Sequence, residues 1–323
     1  MEKLNTSFDE VKNNNKISDN LIYAGDIPRK KKVIRLKSGM EAVDKVLCGI
    51  VMTQMTIITG YSGEGKTTFI NQMIGSMLEQ DHKVWFMSGE SQNVDTRDKI
   101  LKQLAREEDL EIEILEEYNQ TDIVVKEETF HKINNWLSDK LIIQREMRHS
   151  VDDIISSMQM AIARDGVKIF VLDNLMMIET AYNTGSKLAE QIKTVNKINE
   201  FIVKNGVHLF LIAHPRKPSS GQKKDILSKY SVSGASEIVN LASNVLTIER
   251  LKPKERGGDG RYETLFEKTG VYCSTVVTNH KSRLGAYGRS CSLNFDTERE
   301  LFYNPYTKNE LHRIRAWEQQ DLF

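Results

Sequence analysis

The chain has 323 residues, 45 Lys+Arg against 45 Asp+Glu, three cysteines and 39% hydrophobic residues. That length leaves room for one large domain or two small ones, and the apolar content is enough to bury a core, which excludes general disorder. No apolar run approaches the roughly 20 residues of a membrane helix, and Cys48, Cys273 and Cys291 stand too far apart for a disulfide framework or a structural zinc site, so a reducing cytoplasm is expected.

Residues 1–36 read as an N-terminal arm or linker. Met1–Asp9 is polar with no secretory signal, and Pro28 is followed by the basic run Arg29-Lys30-Lys31-Lys32. That run is either a solvated linker or an arm that docks on a neighbouring subunit or a nucleic acid. Residues 37–305 read as one globular domain and 306–323 as a tail. Six short, nearly all-apolar runs are expected as strands: Met55–Thr59, Lys83–Met87, Leu141–Gln144, Lys168–Leu172, Val207–Ala213 and Val245–Glu249. Between them, Lys66–Glu79, Asp95–Arg106, Val151–Arg164 and Lys187–Asn205 carry helical patterns. Apolar strands alternating with helices indicate an α/β fold with a mostly parallel sheet buried on both faces. Helices are expected to stop after about Glu263. Tyr272–Asn279 and Arg289–Phe295 alternate as antiparallel strands would.

The zero net charge is a cancellation. Residues 106–128 hold ten acids against two bases, and residues 214–230 hold five bases against one acid. The acidic stretch reads as a solvated helical face, an outer insertion or a partner site. The basic one reads as a loop.

Gly60-Tyr61-Ser62-Gly63-Glu64-Gly65-Lys66-Thr67 fits the phosphate-loop pattern at every fixed position, after an apolar strand and before a helix. Glycines let backbone N–H groups converge on phosphate oxygens, and the helix N-terminus adds its dipole. Gly60, Ser62, Gly63, Glu64, Gly65, Lys66, Thr67 and Thr68 are therefore expected to hold ATP or another NTP or dNTP. Lys66 is expected on the β- and γ-phosphates and Thr67 on Mg²⁺. Asp173 ends an apolar strand and is the second expected Mg²⁺-side group. Glu90 ends another strand at the same sheet edge, where a carboxylate polarises an attacking water.

Together these residues resemble the hexameric replicative helicases with a RecA-like P-loop NTPase core, the DnaB, Twinkle and phage primase-helicase family. The resemblance runs from about Lys37 to Tyr303, with Gly39–Asp44 similar to the family's entry segment. It maps the catalytic glutamate onto Glu90 and the second acidic motif onto Asp173-Asn174. It makes His214, in Ala213-His214-Pro215-Arg216-Lys217, a sensor of the γ-phosphate. The loop after it, with Arg216, Lys217, Lys223, Lys224, Ser233 and Gly234, becomes a single-stranded DNA contact, where basic side chains suit backbone phosphates. Lys281 and Arg283 in His280-Lys281-Ser282-Arg283 resemble the segment that reaches into a neighbour's ATP site. Arg250 and Phe295 fall where the family contacts the base, although a core role for Phe295 is open.

The resemblance implies an ATP-dependent DNA helicase, a homo-oligomeric ring acting on single-stranded DNA at a fork, in a bacterial or phage-infected cell. There is no zinc-ribbon or primase segment ahead of the core, so a primase is expected on a separate chain, unless the sequence is a stand-alone motor or a fragment. Two other readings share the core: a RecA/RadA-like recombinase and a non-translocating nucleotide switch.

Overall fold

The computed structural model of the chain describes residues 23–27, 34–145, 149–174, 176, 178–179, 187–215, 227–232, 236–285, 287–312 and 315–318. The chain divides into two units, Met1–Ile34 and Arg35–Phe323. In the first, the described residues make one 3-10 turn, Ala24–Asp26, and Tyr23 to Ile27 are exposed.

The second unit begins with α1 (Glu41–Leu47), β1 (Gln54–Thr59), α2 (Lys66–Glu79), β2 (Val84–Ser88) and α3 (Asn93–Leu104). A hairpin, β3 (Leu110–Leu115) and β4 (Gln120–Val125), leads to α4 (Glu127–Leu137), β5 (Leu141–Ile143), β6 (His149–Ser150) and α5 (Val151–Asp165). Then come β7 (Ile169–Asp173), β8 (Ile178–Glu179), α6 (Lys187–Asn205), β9 (His208–Ala213), α7 (Ser236–Leu241) and β10 (Asn244–Arg250). The last elements are α8 (Arg261–Thr269), β11 (Thr275–Ser282), β12 (Ser290–Asp296) and β13 (Leu301–Tyr303).

Nine strands form one sheet in the order β13-β12-β11-β10-β1-β9-β7-β2-β5. The six from β10 to β5 are parallel, and β11, β12 and β13 extend the sheet antiparallel. Successive side chains point to opposite faces of a strand, and here both faces are apolar. Ile58, Phe86, Val171, Phe210 and Leu246 pack with α1 to α4 on one side. Ile57, Trp85, Phe170, Leu211 and Val245 pack with α5 to α7 on the other. This is why the strands read as unbroken apolar runs. The helices are closed by local chemistry. In α5, Ser150 and Asp153 form a reciprocal capping box, and Gly166 ends the helix at φ 71°.

Several expectations need correction. The acidic stretch 106–128 is neither one helical face nor a loop: it is chiefly the β3–β4 hairpin, with Ile112 opposite Ile123. The helix expected over Asp95–Arg106 is α3, two residues earlier, because Asp109 Oδ2 takes the Arg106 backbone N–H at 3.0 Å. Helices do not stop at Glu263. α8 runs to Thr269, since Tyr262 and Phe266, one turn apart, both stack on Tyr272 with centroids 5.4 and 4.0 Å away. α1, α4, α7 and β13 were not foreseen. The described part of 306–323 is packed into the domain. Arg315 Nη2 donates to Gln103 O at 3.0 Å and Trp317 Nε1 to Leu104 O at 2.9 Å, capping carbonyls that the end of α3 leaves open.

Candidate active site

A parallel register brings the carboxyl ends of neighbouring strands to one edge, where α/β folds bind ligands. Thr59 pairs with both Ala213 and Thr247, and Ser88 pairs with Asp173. Gly60, Glu90, Asp173, His214 and Arg250, taken from five different strands, thus share that edge.

The phosphate loop is held tightly from below. A methyl group at Gly60 would sit 2.6 Å from Ile248 O. Gly65 has φ 89°, and a methyl there would meet the Phe302 ring at 2.9 Å. Phe302 is buried and packs edge-on against Phe69 of α2, centroids 5.8 Å apart. Glu64 accepts the backbone N–H of Arg250, tying the loop to the end of β10. Gln103 Nε2 donates to Thr68 O at 3.0 Å.

Lys66 is buried, and its ammonium donates to Gly60 O at 2.9 Å and Tyr61 O at 3.1 Å. Burial draws its pKa below the ordinary lysine value, against the pull of Glu90, Asp173 and Glu64. Thr67 Oγ1 donates to Asp173 Oδ2 at 2.7 Å. Burial raises the Asp173 carboxyl to about 6, opposed by the Thr67 hydrogen bond. Asp173 Oδ1 is buried and without a hydrogen-bond partner among the described residues. A buried carboxylate oxygen lacking a donor, next to a hydroxyl, suits Mg²⁺, which takes one or two protein oxygens plus substrate phosphates rather than a full protein cage. Consistent with that, no group of three or more His, Cys, Asp or Glu side chains forms a metal cage among the described residues.

Glu90 is placed by a turn. Ser88 Oγ accepts the backbone N–H of Glu90 at 3.3 Å and of Ser91 at 3.0 Å. The Glu90 carboxylate accepts from Asn174 Nδ2 and lies 2.8 Å from His214 Nε2. Asn174 and His214 themselves approach to 3.1 Å. In the sequence Asn174 stands beside Asp173 with no role of its own. Its side chain is what links the two expected residues.

Other expected residues lie elsewhere. Phe295 is partly buried in β12 and packs on Phe302, centroids 5.0 Å apart, so Phe302 and not Phe295 meets the loop. Arg250 is exposed at the end of β10. Lys281 and Arg283 are at the opposite end of the sheet. Register pairs Arg250 with Thr275 and Asn244 with Ser282. At about 3.3 Å per residue the length of β10 separates the two ends by about 20 Å. There, Lys281 Nζ donates to Val239 O and Asn240 O at 2.7 and 2.8 Å, and Arg283 Nη2 to Asn240 O at 3.2 Å, both on the last carbonyls of α7. Burial, with Arg283 and Lys229 nearby, lowers Lys281 to about 8. Arg216, Lys217, Lys223, Lys224, Ser233 and Gly234 lie outside the described residues.

No helix among the described residues is long and apolar enough to cross a membrane. The structure is similar to a solved ATPase domain of a DnaB-like replicative helicase, with a TM-score of 0.66 at 16% identity, covering 94% of this chain and 97% of that one. It is similar to the same degree to a second DnaB-like replicative helicase, whose structure was described with its interactions with primase, covering 93% of this chain and 67% of that one. A KaiC-like protein of Pyrococcus horikoshii matches at a TM-score of 0.53 and 17% identity, over 84% of this chain and all of that one. These likenesses establish a RecA-like α/β fold. The model of the DnaB-like helicase C terminal domain matches residues 35–304, which takes in the phosphate loop, Glu90, Asp173, His214 and the distal Lys281–Arg283 pair. The chain therefore belongs to the DnaB-like helicase C-terminal domain family, the ATP-hydrolysing motor of replicative DNA helicases.

Proposed function

We propose that copies of the chain assemble into a ring, hexameric in its working form, that moves along single-stranded DNA at a fork and hydrolyses ATP between adjacent subunits. One observation carries this reading: the phosphate loop and the Lys281–Arg283 pair stand at opposite ends of the same sheet, about 20 Å apart. A chain cannot bring its own pair to its own loop. A neighbour packed head to tail can, and head-to-tail contacts close into rings.

In this reading Lys66 and the loop backbone bind the phosphates, and Thr67 and Asp173 hold Mg²⁺, which when bound adds positive charge at the β- and γ-oxygens. Glu90 takes the proton of the attacking water. His214, against Glu90 at the head of the basic loop, passes the state of the site to that loop. Arg216, Lys217, Lys223, Lys224, Ser233 and Gly234 contact DNA phosphates. Arg283, with Lys281, stabilises charge on the phosphoryl group in the neighbour's site. Arg250 lies on the base side. A primase on a separate chain is the expected partner at the fork, and the compartment is the cytoplasm.

The test mixes two inactive proteins, Arg283→Ala and Lys66→Ala. Mixed rings contain interfaces where an intact Lys66 faces an intact Arg283, so hydrolysis is expected to return. Mixtures that exchange subunits and stay inactive overturn the trans reading. A forked-duplex assay with Lys66→Ala as control tests the motor. Unwinding is expected, whereas strand exchange without unwinding marks a recombinase and turnover indifferent to DNA marks a switch.

A further inference from the structure

The Glu90 carboxylate is held by one oxygen. Oε1 takes both neighbours, Asn174 Nδ2 and His214 Nε2, and Oε2 has no partner among the described residues. The orientation of the Asn174 amide follows from its other end. Asn174 Oδ1 accepts the backbone N–H of Met176 at 2.9 Å. A backbone N–H only donates, so the atom facing it is the amide oxygen, and Nδ2 must face Glu90 and His214. The side chain is almost wholly buried, at 4% exposure, so solvent does not compete for it.

The three contacts cannot all be hydrogen bonds at once. His214 Nε2 carries either a proton, which it gives to Glu90, or a lone pair, which accepts from Asn174 at 3.1 Å. The second hydrogen of Nδ2 serves the lone pair while the first stays on Oε1. Asn174 is therefore bonded to Glu90 in either tautomer, whereas His214 is bonded in only one. His214 can change partners without releasing the carboxylate.

We infer that Asn174 is the positioning residue of the catalytic base: its amide fixes Oε1 so that Oε2 faces the attacking water, while His214 is free to exchange between Glu90 and Asn174. The inference rests on the reading of Glu90 as the base. Positioning of this kind acts on the chemical step and not on nucleotide binding, since no atom of Asn174 is directed at the phosphate loop. A carboxyl group in the same shape replaces the donor with an acceptor beside Glu90, so it is worse than simple removal.

The experiment compares Asn174→Ala, the isosteric Asn174→Asp and Glu90→Gln. Steady-state ATP hydrolysis, affinity for a fluorescent non-hydrolysable ATP analogue and nucleotide-free crystal structures are measured on each. Asn174→Ala is expected to lower kcat by between about 10- and 100-fold, the scale of a misplaced catalytic group, with KM and analogue affinity within about two-fold. Asn174→Asp is expected to fall further than Asn174→Ala. A packing role predicts the reverse order, since Asp keeps the shape. In the nucleotide-free Asn174→Ala crystal the Glu90 carboxylate is expected to have turned away from its place beside His214. An unchanged kcat, a loss of analogue affinity that matches the loss of kcat, Asp outperforming Ala, or an unmoved Glu90 each overturns the inference. Full hydrolysis by Glu90→Gln would instead overturn the reading of Glu90 itself.

Discussion

Gly65 and Phe302 lie far apart in the chain but touch at the base of the phosphate loop, and that contact makes a measurable coupling. Gly65 stands at φ 89°, and a methyl group added there meets Phe302 Cζ at 2.9 Å, with further ring carbons at 3.7 and 3.9 Å. Gly65→Ala therefore carries two costs. A left-handed backbone costs an alanine about 1–2 kcal/mol, and pushing a buried ring aside costs about 1–3 kcal/mol more. Phe302→Leu alone loses ring contact with Phe69 and Phe295, at about 1–2 kcal/mol. In the double variant the ring is gone, so the steric part of the Gly65→Ala cost is relieved and the backbone part remains. The double variant is expected to be more stable than the sum of the singles by about 1 kcal/mol or more. Urea unfolding of the four proteins measures the cycle, and titration with a fluorescent ATP analogue shows whether affinity for nucleotide follows the same pattern. Additivity within about 0.5 kcal/mol would refute the reasoning, because it would mean that the two sites do not press on each other.

Two further predictions concern stability. His208 is wholly buried at the start of β9, with Nδ1 on Val51 O at 2.6 Å, and burial lowers its pKa from 6.5 to about 4. As pH falls through 6.5 the unfolded chain takes a proton that the folded chain refuses, so stability is lost between about pH 6.5 and 4, by about 2 kcal/mol at pH 5. Urea midpoints at pH 7 and pH 5 should show a loss smaller by about that amount in His208→Gln, and equal losses in both proteins would refute it. Trp317→Ala should cost about 3–5 kcal/mol, since Trp317 is buried and caps α3 through Leu104 O. A change within about 0.5 kcal/mol in thermal unfolding would show that the segment is not part of the folded unit.

Much of this was legible because the phosphate loop is a local device. Its glycines, lysine and threonine act within one turn of chain, so Gly60 to Thr67 could be read with their roles. Glu90, Asp173 and His214 were legible as residues that end apolar strands, since a parallel sheet sends every such end to one edge. The β3–β4 hairpin was legible too, in the alternation Glu111-Ile112-Glu113-Ile114, but the count of acids drew attention away from the period. Asn174 was not legible in role: nothing in Asp173-Asn174 says that the amide turns toward Glu90, because that depends on the Met176 N–H and on a strand distant in sequence.

The sequence by itself determined the alternation of strand and helix, the loop that binds phosphates and the set of acids and bases available at the strand ends. These follow from short-range chemistry and from which residues can be buried. Only the tertiary structure decided who meets whom. It set Phe302 rather than Phe295 against Gly65, folded the final described residues onto α3, and sent Lys281 and Arg283 to the far end of the sheet from their own loop. The reason is that strand order and register join residues far apart in the chain, and no local pattern of side chains records which strand will lie beside which.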